Sequence, residues 1–392
     1  MDRVRPLTGG RSVRIREAVL NIDPYVPGKS KEEIAREYGI EPDEIVKLGS
    51  NENPLGPSPK AVKAAKRELE HLHEYPEPLA PPSLYEAIID YLADPPYPAG
   101  KPVEVTRGHL VVGGDGADEI IDVLTRVLVD PGDPVVIPVP TFSQYGISAR
   151  ACGAEVRKPR FDPERGFELD EDSLFEALDR KVRLVYLCTP NNPTGNRIRE
   201  RVVRDVVEEC RGVVLIDHAY VEFADHDYTP LALEYDNVLV LRTCSKALGL
   251  AGARVGYGIA DPELIEHLHR IKPVFSLTRP SAAAAEATFR DRDYVEKSVR
   301  LMIESREYLY RELRKLDRLT PFPSEANYLL VDVSDTGMNA SEFTGELLKH
   351  GVIVRDCSSF EGIEPFYVRV STGTLEEDRR FIEVVKEVLL EE

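Results

Sequence analysis

Residues 110–129, LVVGGDGADEIIDVLTRVLV, decide the fold class of this chain. An apolar run enters a glycine-rich turn at residues 113–116, and apolar residues then recur at helical spacing. This pattern predicts a buried strand, a tight turn and an amphipathic helix. Such a turn can bind an anion such as phosphate through the first N–H groups of the helix. Glu119 stands where the G-x-G-x-x-G phosphate-binding pattern has its third glycine, so an ordinary strand-to-helix turn explains the stretch equally well.

Four further apolar runs bounded by turn residues follow along the chain. They lie at residues 134–139, 184–188, 213–216 and 238–241. Continuous apolar runs of this length indicate strands buried on both faces, which is typical of a parallel sheet covered by helices. We therefore expect an α/β fold whose large domain holds a mostly parallel sheet between two helix layers.

Sequence rich in charged residues at helical spacing dominates after about Ala282. Short predicted strands at residues 328–331, 352–354 and 367–370 interrupt it, which indicates a second, smaller α+β domain. The predicted division is an N-terminal arm with a short helix in residues 1–45, a large domain in 46–285 and a small domain in 286–392.

Two capping boxes predict where early helices begin. Ser30 with Glu33 opens a short helix that Gly39 ends, and Ser83 with Glu86 opens another. The proline-rich stretch at residues 94–102 predicts a surface loop.

Charge and composition exclude several classes of protein. Lys and Arg total 50 against 69 Asp and Glu, and the resulting net charge of −19 excludes nucleic-acid binding as the main role. No run approaches the roughly 18 apolar residues of a membrane span, and the N-terminus lacks the apolar segment of a secretory signal. Five cysteines without a C-x-x-C pair predict reduced thiols, no metal site and a cytoplasmic protein.

Polar and charged residues follow three of the predicted strands. They are Asn192 after the run 184–188, Asp217 and Tyr220 after 213–216, and Thr243, Ser245, Lys246 and Arg254 after 238–241. Each has an ordinary alternative as a turn, a helix cap or a solvated lysine. The carboxyl ends of parallel strands meet at one edge, so together these residues predict a ligand site there. A desolvated lysine can form a Schiff base, and with anion cradles beside it the set suits pyridoxal phosphate.

Ten short motifs occur in order along the chain. They are Ser50-Asn51-Glu52-Asn53-Pro54, Tyr75-Pro76, Gly116-Ala117-Asp118-Glu119, Pro140-Thr141-Phe142, Asn191-Asn192-Pro193-Thr194-Gly195, Asp217-x-Ala219-Tyr220, Arg242-Thr243-x-Ser245-Lys246, Asn327-Tyr328, Val354-Arg355 and Arg369-Val370-x-x-Gly373-Thr374. In their order and spacing the chain resembles the fold type I pyridoxal-phosphate aminotransferases, and within them the histidinol-phosphate aminotransferase family. The resemblance implies that family's seven-stranded sheet and pyridoxal 5′-phosphate as cofactor.

The resemblance also implies roles at the cofactor. Lys246 would hold it as a Schiff base and shuttle the proton, Asp217 would pair with the ring nitrogen, and Asn192 and Tyr220 would bind the ring oxygen. Phe142 would stack on the ring. The cofactor phosphate would be held by Ala117, Asp118, Thr243, Ser245 and Arg254, and by Tyr75 from a second subunit of a homodimer.

For the substrates, the resemblance implies that Arg355 and Arg369 bind anionic groups, with Asn53 nearby. These anions are the carboxylate of glutamate and the phosphate of histidinol phosphate. The chain departs from the family pattern at His218, expected to point away from the site, and at Cys244, expected to be inert packing. The loop 94–102 is expected to be longer than the family's connection and to alter the surface near the site entrance.

The implied reaction is transamination in histidine biosynthesis, between imidazole acetol phosphate with glutamate and histidinol phosphate with 2-oxoglutarate, by ping-pong exchange. Two alternatives stay open: a broader aminotransferase for aromatic or acidic amino acids, and a threonine-phosphate decarboxylase, which shares most of the cofactor motifs. A transcription regulator with an aminotransferase-like domain is not expected, because the predicted arm leaves no room for a DNA-binding domain.

Overall fold

The computed structural model describes residues 13–20, 22 and 30–390. The turn-rich segment predicted at residues 23–28 lies outside these described residues. The helices of the described part are α1 (Glu17–Leu20), α2 (Lys31–Tyr38), α3 (Pro59–Glu68), α4 (Pro82–Ala93), α5 (Gly116–Leu128), α6 (Ser143–Cys152), α7 (Glu171–Ala177), α8 (Glu200–Glu209), α9 (Leu231–Glu234), α10 (Pro262–Ile271), α11 (Arg279–Phe289), α12 (Arg292–Leu313), α13 (Ala340–Lys349) and α14 (Leu375–Leu390).

The strands belong to one large sheet, one smaller sheet and two short pairs. They are β1 (Val46–Lys47), β2 (Leu110–Gly113), β3 (Pro134–Val136), β4 (Glu155–Arg157), β5 (Phe161–Asp162), β6 (Glu168–Leu169), β7 (Leu184–Cys188), β8 (Val213–Asp217), β9 (Val238–Thr243), β10 (Gly256–Ala260), β11 (Thr320–Pro321), β12 (Tyr328–Asp332), β13 (Val352–Ile353), β14 (Arg355–Asp356) and β15 (Tyr367–Ser371).

The large sheet has seven strands in the order β2-β10-β9-β8-β7-β3-β4, and only β10 runs antiparallel to its neighbours. The five strands that arise from the predicted apolar runs, β2, β3, β7, β8 and β9, are buried throughout, because helices cover both faces. The prediction of a mostly parallel sheet is confirmed. In the register of the parallel strands, Cys188 pairs with Asp217 and Asp217 with Leu241, so the polar residues that follow these strands emerge at one edge.

A four-stranded antiparallel sheet, β11-β12-β15-β14, forms the C-terminal part. The strand predicted at 352–354 lies outside it, since β13 pairs in parallel with β1. Helix α12 contributes Val299 and Met302 to the core of the large sheet, and Leu309 and Leu313 to the C-terminal core. Because α12 joins both cores and β1 pairs across the chain, the division at residues 45/46 and 285/286 stays a prediction.

The first predicted capping box is confirmed and the second is wrong. Ser30 and Glu33 cap α2 reciprocally, and Gly39 ends it in the left-handed conformation. Helix α4 begins at Pro82 without a side-chain cap, because proline at the first position already lacks the N–H that a cap satisfies. Ser83 instead donates to Glu286 on α11 at 2.7 Å.

The loop at residues 94–102 is irregular as predicted, but it is not wholly a surface loop. Tyr97 is buried, its hydroxyl donates to Asp227 at 3.1 Å and it accepts from Arg242 at 3.0 Å. The loop is thereby tied to β9. Within the described residues, no helix is both long and apolar enough to cross a membrane. The five cysteines form no disulfide, and all but Cys152 are buried.

Candidate active site

A cavity of about 790 Å³ opens where the parallel strands end at their carboxyl edge. This is the edge at which open α/β sheets bind ligands. Twelve of the residues singled out in the sequence line it: Ala117, Asp118, Phe142, Asn192, Asp217, Tyr220, Thr243, Ser245, Lys246, Arg254, Arg355 and Arg369.

One end of the cavity is formed by the turn between β2 and α5. The N–H groups of Ala117 and Asp118 lie in the first turn of α5, before intrahelical bonds begin. Gly114 is required here, because a Cβ atom would lie 2.2 Å from the carbonyl carbon of Ser276. Glu119 closes the turn by accepting from the backbone N–H groups of Gly114 at 2.5 Å and Asp115 at 3.0 Å. The residue that breaks the glycine pattern therefore stabilises the turn.

Three side chains from the end of β9 and the loop after it face this helix end. Arg254, itself in the left-handed conformation at φ 56°, donates to Asp118 Oδ2 at 2.9 Å. Thr243 Oγ1 donates to Ser245 Oγ at 3.0 Å and accepts the Ser245 N–H at 3.1 Å. A guanidinium, two hydroxyls and helix N–H groups together form a cradle suited to a phosphate.

Asp217 stands at the end of β8 with its carboxylate buried in the cavity wall. Oδ2 accepts from the hydroxyl of Tyr145 at 2.5 Å, and Oδ1 accepts the Ala219 N–H at 2.9 Å. Burial raises the pKa of this carboxyl to about 6, against the lowering effect of those two hydrogen bonds. A buried carboxylate of this kind is suited to pair with a cationic ring nitrogen.

Tyr220 and Asn192 lie on the neighbouring loops and are held by other side chains. Tyr220 accepts from Asn51 Nδ2 at 3.1 Å, and Asn192 Oδ1 accepts from Arg369 Nη1. Burial raises the pKa of Tyr220, so its phenol stays protonated and can donate to an oxygen in the cavity.

Lys246 follows β9 and is partly buried. Its Nζ donates to the Ser50 carbonyl at 3.4 Å and lies 5.9 Å from the centre of the Tyr220 ring. Desolvation, aided by the positive charge of Arg369, lowers the pKa of Lys246 to about 8. A much larger fraction of this amine is therefore uncharged and nucleophilic at neutral pH than of an ordinary lysine.

Two buried arginines from the C-terminal sheet face the same cavity. Arg355 on β14 and Arg369 on β15 are register partners, so their side chains share one face. Arg355 donates to Ser359 at 3.2 Å, and Arg369 donates to the Gly49 carbonyl at 2.9 Å. Arg369 Nε is buried with no hydrogen-bond partner among the described residues. This pair concentrates positive charge where an anionic substrate group can enter.

Two predicted residues are not in the cavity wall of the described chain. Asn53 Nδ2 donates to Ser298 at 2.7 Å and to the Ala247 carbonyl at 3.1 Å, so it supports the loop that carries Lys246. The structure does not bring its side chain to the arginines. Tyr75 is 80% exposed and lies against the ring of Phe275, with centroids 4.9 Å apart.

The two unusual residues beside the motifs point away from the cavity. His218 is buried: its Nδ1 lies 2.6 Å from the Thr189 carbonyl oxygen, and its Nε2 accepts the Tyr228 N–H at 2.9 Å. Burial lowers the pKa of His218 to about 3, so the imidazole is neutral. Cys244 is buried in the apolar core, and burial raises the pKa of its thiol. The loop 94–102 contributes no residue to the cavity wall.

Sequence reasoning missed several residues of the wall. Asn51 and Tyr145 hold Tyr220 and Asp217, and both lie in or beside quoted motifs, so motif position was an available signal. Arg150 and Lys158 reach the rim and pair with Glu361, and nothing in their sequence context marks them. No cluster of three or more metal-ligating side chains occurs in the described part of the chain.

The donor set fits pyridoxal 5′-phosphate. A buried carboxylate suits the ring nitrogen, the Tyr220 phenol and the Asn192 amide suit the ring oxygen, and the cradle suits the phosphate. The cradle is closely built, since a Cβ atom at Gly256 would lie 2.4 Å from the Ala117 nitrogen.

Comparisons with known proteins agree with this chemistry. Residues 43–385 match the family described as aminotransferase class I and II. The chain is 96% identical over 389 residues to the histidinol-phosphate aminotransferase of Methanopyrus kandleri, covering 99% of this chain and 100% of that protein. It is 52% identical to that of Methanothermobacter thermautotrophicus, covering 98% and 99%.

A solved structure of similar shape is the histidinol-phosphate aminotransferase of Sinorhizobium meliloti in complex with pyridoxal-5′-phosphate. It has a TM-score of 0.81 and 25% sequence identity, and the match covers 97% of this chain and 99% of that one. On these similarities, the chain belongs to the histidinol-phosphate aminotransferase family of the class I and II aminotransferases.

Proposed function

We propose that this chain transfers the amino group between L-glutamate and imidazole acetol phosphate, giving 2-oxoglutarate and L-histidinol phosphate in histidine biosynthesis. The family and its pyridoxal-phosphate-dependent activity support this reaction. The observation that supports it in this chain is that Lys246, Asp217 and the pair Arg355 and Arg369 line one cavity. That set combines an amine of lowered pKa, a buried carboxylate and an anion site.

When bound, pyridoxal phosphate supplies an aldehyde that condenses with amines and a ring that withdraws electrons from the substrate carbon. We propose that Asp217 holds the ring nitrogen and that Asn192 and Tyr220 hold the ring oxygen. Phe142 would pack on the ring face. The phosphate would be held by Ala117, Asp118, Thr243, Ser245 and Arg254.

Lys246 would act at Nζ in two ways. Its uncharged amine would anchor the cofactor. Once freed by the substrate amine, it would move a proton between the substrate carbon that bears the nitrogen and the cofactor carbon on the other side of that nitrogen. Its pKa of about 8 suits both directions of proton transfer near neutral pH. The Ser50 carbonyl keeps Nζ at the cavity wall.

Arg355 and Arg369 would bind the anionic ends of both substrates. Glutamate presents carboxylates and histidinol phosphate a phosphate, and a guanidinium binds either group through paired N–H donors. Both arginines are buried and lie on one face of the antiparallel pair β14-β15. The two substrates would occupy the cavity in turn, so we propose that one anion site serves both.

The experiment measures glutamate formation by purified enzyme with pyridoxal phosphate, histidinol phosphate and 2-oxoglutarate. We expect kcat/KM for histidinol phosphate to exceed that for tyrosine, phenylalanine and aspartate by at least tenfold. Equal values would favour the broader aminotransferase. Carbon dioxide released from threonine phosphate, with no glutamate formed, would favour the decarboxylase and overturn the proposal.

We further infer a homodimer in which Tyr75 of one subunit reaches the cofactor phosphate of the other. Exposed apolar side chains support this: Phe275, which Tyr75 contacts, with Val274 next to it in sequence, and Leu69 and Leu72 shortly before Tyr75. Apolar surface clustered in this way is typical of a protein interface. Asn53 is inferred to act near the substrate only through the loop that it supports.

A complementation experiment tests the shared site. Lys246→Ala and Tyr75→Ala chains are each expected to be nearly inactive. After mixing and subunit exchange, the mixed dimer has one site with both Lys246 and Tyr75, so activity should recover. No recovery, with exchange shown by mass spectrometry, would contradict the shared site.

The predicted cytoplasmic location is supported by the thiols. Four of the five cysteines are buried and none is paired. An oxidising compartment favours disulfides in cysteine-containing proteins. Fractionation of cells that produce the protein, with detection by antibody, would test this location.

A further inference from the structure

Tyr145 lies in the cavity wall beside Asp217 and holds its carboxylate by a hydrogen bond. It lies on α6, is fully buried, and its hydroxyl donates to Asp217 Oδ2 at 2.5 Å. The other carboxylate oxygen accepts the Ala219 N–H. Each oxygen of Asp217 therefore has one fixed donor, and these two donors set the plane of the carboxylate.

The ring of Tyr145 is itself fixed by aromatic neighbours. It stacks on Tyr186 with centroids 5.1 Å apart, and it meets Phe142 edge to face at 5.7 Å. The hydroxyl of Tyr186 is 2.6 Å from Thr125 Oγ1, so it has a hydrogen-bond partner of its own other than Asp217. Tyr145 thus contacts both Asp217 and Phe142, the residues that face the nitrogen and the face of the cofactor ring in the proposed function.

We propose that Tyr145 is a positioning residue that aims the Asp217 carboxylate at the cofactor ring nitrogen and keeps it ionised. This inference rests on the proposed function. A hydroxyl that donates to a carboxylate stabilises the charged form, whereas burial disfavours it. Without the Tyr145 hydroxyl, Asp217 would hold its proton at higher pH and would no longer be fixed in one plane.

Among the described residues, the Asp217 carboxylate accepts hydrogen bonds from Tyr145 and the Ala219 N–H alone, and Asp118 and Lys246 act only on its charge. Asp118 raises its pKa and Lys246 lowers it through space. The buried thiol of Cys188, its register partner on β7, donates to the Pro190 carbonyl. His218 follows Asp217 in sequence, is neutral and points to the Thr189 carbonyl. Tyr145 is therefore the side chain whose removal should change both orientation and charge.

The test compares Tyr145→Phe with Tyr186→Phe, which removes a buried hydroxyl from the adjacent stacked ring. The titration of Asp217 is followed in the apoenzyme by infrared difference spectroscopy, using Asp217→Asn to assign the carboxyl band. We expect the Tyr145→Phe midpoint to rise by at least one pH unit and the Tyr186→Phe midpoint to match the wild type. The dissociation constant for pyridoxal phosphate at pH 8 should rise about tenfold in Tyr145→Phe only.

An unchanged Asp217 midpoint in folded Tyr145→Phe, or an equal rise in Tyr186→Phe, would overturn the inference. If Tyr145→Phe does not fold, proton NMR of the wild-type apoenzyme provides the test instead. A downfield hydroxyl proton should be present, persist in Tyr186→Phe and shift in Asp217→Asn, and its absence would overturn the inference. These readouts need no substrate, so they can fail while transamination is confirmed, or succeed while it is not.

Discussion

Arg369 Nη1 donates a hydrogen bond to the side-chain oxygen of Asn192, 177 residues earlier in the chain. The bond joins β15 to the loop after β7, so it links the proposed substrate anion site to the residue proposed at the cofactor ring oxygen. Arg369 Nη2 also donates to the Gly49 carbonyl, and the guanidinium lies over the Tyr328 ring at 5.2 Å. The arginine is oriented before any substrate binds.

Replacing Arg369 with lysine should weaken substrate binding more than cofactor binding. Lysine keeps the charge but lacks the planar pair of donors, and loss of a charge-assisted hydrogen bond costs about 1.5–3 kcal/mol. We expect kcat/KM for glutamate and for histidinol phosphate to fall about 10- to 100-fold by that measure. Steady-state kinetics with both substrates checks this. A loss confined to one substrate would contradict a shared anion site.

We expect both the backbone conformation and the side chain of Asn51 to contribute to the stability of the fold. It lies in the left-handed region at φ 54°, and its side chain donates to Tyr220 and accepts from Ser371 Oγ at 2.8 Å. Asn51→Gly loses only the side-chain bonds, whereas Asn51→Ala also carries the left-handed backbone cost of about 1 kcal/mol. Denaturant unfolding should therefore rank alanine below glycine by about that amount. Equal stability of the two variants would show that the backbone conformation is not strained.

Attachment of pyridoxal phosphate to Lys246 should depend on pH with a midpoint near 8. The lysine attacks as the uncharged amine, so the attachment rate should rise with pH below its pKa of about 8 and level above it. Stopped-flow absorbance of apoenzyme mixed with the cofactor measures this rate. Lys246→Ala should abolish the signal at every pH. A midpoint near 10.5, the ordinary lysine value, would show that burial does not tune this amine.

Asp378 should make the wild-type protein less stable as the pH rises. This carboxyl is buried at the start of α14, where Oδ1 accepts the Gly373 N–H at 3.0 Å, and burial raises its pKa to about 7. The folded state therefore binds the proton more tightly than the unfolded chain, whose pKa is near 3.8, and stability falls between about pH 4 and 7.

Asp378→Asn removes this titration. We expect the variant to match the wild type near pH 4 and to exceed its free energy of unfolding at pH 8 by about 1–3 kcal/mol. The exposed Glu376→Gln on the same turn is the control and should show no such difference. A variant less stable than the wild type at pH 8 would contradict the assignment.

The sequence predicted the five apolar strands of the large sheet because burial on both faces leaves a continuous apolar run. It did not predict β10, where Gly256 and Gly258 interrupt that run, or β4, whose Glu155 is exposed. Glycine in β10 is required by close packing at Gly256, where a Cβ atom would lie 2.4 Å from the Ala117 nitrogen. Such long-range contacts leave no local pattern.

The same physical limit applies to the site. Residues that follow strands were predicted, because strand order and direction bring them to one edge. The contacts made by Tyr145 and Asn51 were not, since their partners Asp217 and Tyr220 lie 72 and 169 residues away. The sequence also could not predict where the Asn53 side chain lies, because its contacts with Ala247 and Ser298 depend on how α12 packs.

Transfer of a labelled amino group tests the central claim most directly. The enzyme with pyridoxal phosphate is incubated with 15N-glutamate and imidazole acetol phosphate, and the products are measured by mass spectrometry. The account predicts 15N-histidinol phosphate and 2-oxoglutarate in equal amounts, and neither product with Lys246→Ala. Histidinol phosphate without 15N, or no histidinol phosphate from folded, cofactor-loaded enzyme, would contradict it.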